Sequence, residues 1–538
     1  MKELVIQGPK SNHKPILKGF AEYFFEKAAE LKDRIFQIDG DTEKSETYGQ
    51  VKARSIKLAL AMKSLDFKPR DVALVCCKNN LDNIIPILGT LYLGGCVSSA
   101  DPRLSLDDIK YFIGLVRPKL MFVDQDSVNT VEKALCESTS CESTARLVVM
   151  GNSDKYPTMK SIENQFYENE KTFSPVKQKD SDIAFIMFSS GTTSSPKGVY
   201  ISNKSAMNAA IYTFECGSVK PGMIMHFASF YWVSALICTS VCVLTGSTKI
   251  IGSNISAEKY LYLTDKYKIT YTFMSNNFTH SITSLSQETI DKYDTSSLYS
   301  LLIGGAPVNP SQMSKLRRLL PHTKVSMGYG STETIFISCF DFKNREAYET
   351  KIGSSGKLLA DVQLKIADLE TGKPLGPNQE GEIRIKSPYV TSGYHHLDKT
   401  DIFDEDGFIK MGDLGYYDDD HYIYVTDRIK EIFKYQNGQV TPSIIENTLL
   451  SHPAVEEAAA FDIPHRVDDN HPAALVVLKP DQSLEAKELI DFTDQHLTDS
   501  HRLRGGVIIV NSIPRTPSGK VQRRILKDFF GKNPDPRV

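Results

Sequence analysis

The sequence predicts an α/β protein: a large N-terminal domain of αβ subdomains with a β-rich portion, then a small α+β C-terminal domain. Three observations carry this expectation. In the first third of the chain, short apolar runs alternate with helix-period stretches, the grammar of a largely parallel sheet. From about 361 to 427 the apolar period becomes two, broken by Gly, Pro and Asp, as in antiparallel strands. Past 427 about 110 residues remain, enough to fold as a unit of their own. The expected division is therefore 1–427 and 428–538.

The elements follow in order. Thr47 is the expected cap of a helix in which Val51, Ile56, Ala59, Met62 and Leu65 recur at helical spacing. After the breaker Lys68-Pro69-Arg70-Asp71, Val72–Cys76 reads as a buried strand. Residues 84–93 read as a helix stopped by Gly94-Gly95. Residues 106–115 read as another, ended ahead of Pro118 and followed by a strand at 120–123. Residues 183–188 and Ser300–Gly304 repeat the strand pattern, and 362–366, Gly381–Lys386 and 422–425 alternate with period two.

Composition excludes several classes. With 41% hydrophobic and 24% charged residues the chain is not disordered. Its 63 Lys+Arg against 66 Asp+Glu argue against nucleic-acid binding by bulk charge. None of the nine cysteines shows Cys-x2-Cys spacing, so buried reduced thiols in an intracellular protein are expected. The longest apolar stretch, 235–244, is interrupted by Thr239 and Ser240 and is too short to span a bilayer. No signal-peptide core stands at the start and no Ser-Lys-Leu at the end. The expected location is the cytoplasm, with the peroxisome as the alternative.

The most informative segment is Ser189-Ser190-Gly191-Thr192-Thr193-Ser194-Ser195-Pro196-Lys197-Gly198, directly after an apolar strand. Small residues let backbone N–H groups approach phosphate oxygens, hydroxyls add donors, and Lys197 adds charge. It is not a Walker A loop, because Pro196 stands where that motif requires Gly.

This loop resembles the phosphate loop of the adenylate-forming superfamily, which includes acyl-CoA synthetases, 4-coumarate–CoA ligases, beetle luciferases and non-ribosomal adenylation domains. Further segments resemble that family's motifs in its order. Gly304-Gly305-Ala306-Pro307 is similar to the adenine-wall turn, and Gly328-Tyr329-Gly330-Ser331-Thr332-Glu333 to the motif that seats adenine and magnesium. Met411-Gly412-Asp413-Leu414 resembles the ribose-binding turn, Thr426-Asp427-Arg428-Ile429-Lys430 the hinge, and Pro517-Ser518-Gly519-Lys520 the loop of the adenylating lysine. The resemblance spans roughly residues 20 to 530 and is nearest to the luciferase-like and 4-coumarate–CoA ligase-like branch.

It implies an ATP-dependent acid–CoA ligase with Mg²⁺ held by Glu333 and with ATP and CoA as co-substrates. Thr332, Glu333, Lys430, Lys434 and Lys520 would be catalytic, and the C-terminal domain would be mobile about a hinge at about 427–430. The nucleotide would meet Ser189, Ser190, Gly191, Thr192, Thr193, Lys197, Gly305, Ala306, Pro307, Tyr329, Gly330, Thr332, Asp413, Arg428, Gln439 and Lys520. The residue types suit the chemistry: carboxylate attack on a phosphate gathers anions, which cations and oriented donors must offset.

The chain departs from the family pattern at Ser194 and Asn437, where Gly is usual, and at Asn470-His471, where Gly-Glu is usual. At the substrate-side motif, Phe230-Tyr231-Trp232 carries the chain's single tryptophan where luciferases and 4-coumarate–CoA ligases have His at or beside this position. Phe230 and Trp232 are the expected acyl-pocket residues. The absence of an acidic residue in 230–236 disfavours an amino-acid substrate. The expected acid is a medium- or long-chain fatty acid. The alternatives are a luciferase-like oxidoreductase and a nucleotide-binding protein without turnover.

Overall fold

The computed structural model describes residues 4–137, 145–166, 172–189, 196–342, 344–396, 402–436, 438–515, 521–523 and 525–527. Thr47 caps the helix Tyr48–Ser64 through a capping box, its hydroxyl accepting from Gln50 N while the Gln50 side chain returns to Thr47 N. Ser105 does the same with Asp108 for the helix Leu106–Val116. That helix ends at Arg117 in a left-handed conformation, just ahead of Pro118.

Two mostly parallel sheets form the body. One runs in the order Arg146–Met150, Leu120–Asp124, Val72–Cys76, Cys96–Ala100, Ile183–Ser189, Lys197–Ser202. The other runs Lys324–Met327, Ser300–Gly304, Tyr271–Ser275, Met223–Met225, Thr248–Ile251, Ile35–Asp39, Ser45–Thr47. Each closes with one antiparallel edge strand, Lys197–Ser202 and Ser45–Thr47. Buried helices lie between them, including the apolar helix Val233–Thr245, and their side chains join one continuous core. Among the described residues no helix is long and apolar enough to cross a membrane.

The period-two region forms an antiparallel sheet from Gln363–Ala367, Gly381–Lys386, Ile409–Tyr417 and Ile423–Arg428. Its other edge is Val5–Gln7, paired antiparallel with the first of these, a long-range pairing that the sequence pattern did not reveal. The C-terminal sheet orders Gly438–Val440, Phe433–Tyr435, Asp469–Leu478 and Val455–His465, with Gly506–Ile509 alongside the third. It packs on the helices Pro442–Ser451 and Ala486–His496 around a core of its own that includes Phe433, Ile445, Leu449, Val476 and Leu489.

Candidate active site

Two of the motifs leave one end of the second parallel sheet. Ser300–Gly304 and Lys324–Met327 are neighbours, with Ile303 opposite Met327. The turns Gly304-Gly305 and Gly328-Tyr329 therefore leave the carboxyl ends of adjacent strands, where open α/β sheets bind ligands. Gly305 has φ +90°, and a side chain there would point into open space; Ala306 and Pro307 are exposed beside it. Gly330 has the opposite constraint, since a Cβ would lie 2.0 Å from the Ile335 carbonyl oxygen. Close backbone passage at that turn requires glycine. Ile335 itself sits at φ 61°, a strained position for a β-branched residue.

Asp413 follows Gly412, which has φ +69°, and faces Arg428 across the strand pair Ile409–Tyr417 and Ile423–Arg428. The Tyr329 hydroxyl donates to Asp413 Oδ2 at 2.6 Å, and Arg428 Nε lies 3.3 Å from Oδ1. This buried contact joins the parallel sheet to the antiparallel one. Burial, then the Asp413 carboxylate, pushes the Tyr329 phenol well above its ordinary range, so it remains a donor.

Glu333 is half-buried in the turn after Tyr329, with Thr332 half-buried before it. Its backbone N–H donates to Ser331 Oγ, and its carbonyl accepts from Thr391 N at 2.7 Å. Glu333 Oε1 accepts from the Tyr394 hydroxyl at 2.9 Å, while Lys197 Nζ lies 4.9 Å from the Tyr394 ring centre. Burial, then the Glu333 carboxylate, raises the Tyr394 phenol. A carboxylate fixed through one oxygen, with the other available as a hard ligand beside a lysine, fits Mg²⁺ in contact with phosphates.

Sequence reasoning missed Tyr394. Its signal was the Gly393-Tyr394 turn, whose contacts with Val199 and Glu333 come from a strand and a turn distant in sequence.

Ser189 pairs with Lys197 at the mouth of a hairpin, so the candidate phosphate loop joins antiparallel strands. Ser190, Gly191, Thr192 and Thr193 lie outside the described residues, as does Lys520. Phe188, just before the loop, stacks on Phe112 at 3.6 Å between ring centres. Phe112 stacks on Tyr231, and Tyr231 meets Trp232 edge-on at 4.7 Å. Trp232 is half-buried at the start of the helix Val233–Thr245, within this aromatic chain.

Phe230 is 3% exposed and packs in the core, with its ring 4.8 Å from the buried Lys249 Nζ. Lys430, Lys434 and Gln439 are exposed. Among the described residues no hydrogen bond or ion pair ties their side chains to the Asp413 and Glu333 cluster. Lys434 and Gln439 are nonetheless cross-strand partners on one hairpin, which puts them on a common face.

Comparison with known proteins identifies the family. The AMP-binding enzyme model matches residues 24–395, and the AMP-binding enzyme C-terminal domain model matches 444–520. A probable 4-coumarate–CoA ligase 3 of Dictyostelium discoideum is 31% identical over 520 residues, 92% of each chain. A luciferin 4-monooxygenase of Photinus pyralis is 28% identical over 508 residues, 92% of this chain and 90% of that one. The solved luciferase-like enzyme from the nonluminescent mealworm Zophobas morio superposes with a TM-score of 0.75 at 36% identity, covering 80% of this chain and all of that one. The chain belongs to the AMP-binding enzyme family, and within the adenylate-forming superfamily to its luciferase-like and 4-coumarate–CoA ligase-like branch.

Proposed function

We propose that this acid–thiol ligase activates a medium- or long-chain fatty acid with ATP and passes the acyl group to CoA. The reading rests above all on the joined cluster of Tyr329, Asp413 and Arg428 beside Glu333, Tyr394 and Lys197. Asp413 accepts from the ribose hydroxyls, with Tyr329 and Arg428 fixing the carboxylate. Gly305, Ala306, Pro307 and the Gly328–Gly330 backbone flank the base. Glu333 holds Mg²⁺, which offsets phosphate charge when bound. Lys197, Thr332 and the hydroxyls and backbone N–H groups of the loop from Ser189 to Thr193 take phosphate oxygens.

In the first step a carboxylate oxygen attacks the α-phosphorus and pyrophosphate leaves, with Lys520 offsetting charge on both anions. In the second the thiol attacks the acyl carbon and AMP leaves with its oxygen. Rotation of residues 428–538 about the hinge at 427–430, near Lys430, exchanges Lys520 for the hairpin face of Lys434 and Gln439.

Trp232 supports the fatty-acid assignment. An apolar ring in place of His, at the end of an aromatic chain leading to the phosphate loop, favours selection by burial, and each methylene contributes about 0.8 kcal/mol. The test profiles acetate, octanoate, palmitate and coumarate for acyl-CoA, pyrophosphate and light. Octanoate or palmitate should exceed acetate by orders of magnitude, and Trp232→Ala should shift the chain-length preference with little change in the KM for ATP. A wild-type preference for coumarate, an unchanged mutant profile, or acid-dependent light without acyl-CoA would overturn the assignment.

A further inference from the structure

A second set of reactive side chains sits on the C-terminal sheet. His465 ends the strand Val455–His465, Asp468 lies in the following turn, and His471 is in the return strand Asp469–Leu478. The register places His465 opposite Asp469 and Ile463 opposite His471, so the two histidines are diagonal neighbours on one face. Their rings stack at 3.8 Å with 18° between planes. Asp468 Oδ2 lies 2.9 Å from His471 Nε2 and 3.1 Å from His465 Nδ1. Among the described residues this is the one group of three His, Cys, Asp or Glu side chains whose ligand atoms all fall within 4.8 Å of one another.

His465 Nδ1 lies 3.2 Å from the Asp468 backbone N and 3.1 Å from Asp468 Oδ2, so a ring lone pair and an anionic oxygen converge. A cation between them offsets that repulsion, taking the Nδ1 lone pair from the N–H. The carboxylate is already oriented from outside: Gln436 Nε2 donates to Asp468 Oδ1 at 2.7 Å. Such outer support of a ligating carboxylate is typical of metal sites. The partly exposed side chains leave an entry path from solvent.

We propose that His465, Asp468 and His471 bind one divalent transition-metal ion of the zinc class, leaving a fourth position to water. Two imidazoles and one carboxylate suit such an ion and disfavour Mg²⁺, which takes oxygen ligands. Tetrahedral ligation at 2.0–2.1 Å separates ligand atoms by about 3.3 Å, close to the 2.9 and 3.1 Å between the carboxylate oxygen and the two imidazoles, and the stacked rings would turn to face a shared ion. The bound ion would tie the strand turn to the Phe433–Tyr435 hairpin through Gln436, and through Asn470, whose Nδ2 donates to the Lys434 carbonyl.

The experiment uses tag-free, full-length protein stripped with a chelator, titrated with ZnCl₂ by calorimetry, with metal content measured after dialysis. One equivalent should bind saturably. His471→Gln and Asp468→Asn should each weaken that site at least about tenfold, since loss of even an outer-shell partner costs about 10- to 100-fold. His322→Gln, an exposed histidine elsewhere, should change nothing. His465→Gln, at the most exposed ligand, supplies a variant that folds if another does not, and metal-free melting temperatures verify folding. Absence of a saturable single equivalent, or wild-type affinity in folded ligand variants, would overturn the assignment.

Discussion

Tyr394 holds Glu333 through one hydroxyl, and a hydrogen bond to a charged group contributes about 1.5–3 kcal/mol. Tyr394→Phe keeps the ring under Lys197 and removes only that donor. It should lower acid-dependent ATP–pyrophosphate exchange by about 10- to 100-fold; an unchanged rate would detach Tyr394 from the chemistry. A second residue is legible only from burial. His226 is 2% exposed, its Nδ1 lies 3.0 Å from the Phe273 carbonyl, and burial pushes its pKa down to about 3. The unfolded chain protonates this side chain below about 6.5, whereas the folded one does not until about 3. Stability therefore falls as pH drops through 6.5, by about 1.4 kcal/mol per unit from this group. Between pH 6.5 and 5, urea unfolding of the wild type should lose about 2 kcal/mol more than that of His226→Gln. Parallel losses would refute the burial argument. The charged residues of the candidate site were readable because turns of glycine and acid mark them, whereas Tyr394 and His226 owe their roles to neighbours distant in sequence.

At the scale of elements, the structure shows why the segment after Arg428 is held in place. Glu431, in the short 3₁₀ turn Ile429–Glu431, pairs with Arg523, and Arg523 Nη2 lies 2.6 Å from Glu446 Oε1. Arg523 Nε also donates to the Ala460 carbonyl at 3.0 Å. One guanidinium thus joins the proposed hinge, the helix Pro442–Ser451 and the strand Val455–His465. Arg523→Met leaves Glu431 and Glu446 without the guanidinium that joins them, with Arg428 the remaining cation acting on Glu431. Its cost should be about 3 kcal/mol, the lower end for such sites because the side chains keep up to 20% exposure. Chemical denaturation followed by a probe on the C-terminal sheet measures this, and a loss below about 0.5 kcal/mol would contradict it. Strands such as Val72–Cys76 and Gly381–Lys386 were legible because apolar runs and alternation report burial directly. Val5–Gln7 was not, because an edge strand of three residues carries too little pattern to reveal a partner at 363–365.

For the whole molecule, the change from parallel to antiparallel sheets was visible as a change of period, and the C-terminal sheet does have its own core. The order of strands was not visible, since crossovers depend on helices whose packing partners lie far along the chain. That order brings Gly305, Tyr329, Asp413 and Glu333 together, and with them the proposal that a carboxylate is activated by direct attack on the α-phosphate. Isotope transfer tests this most directly. With octanoate carrying ¹⁸O in both carboxylate positions, together with Mg-ATP and CoA, each turnover should place one ¹⁸O in AMP and none in pyrophosphate. Unlabelled AMP, or ADP and phosphate as the products, would contradict the acyl-adenylate route.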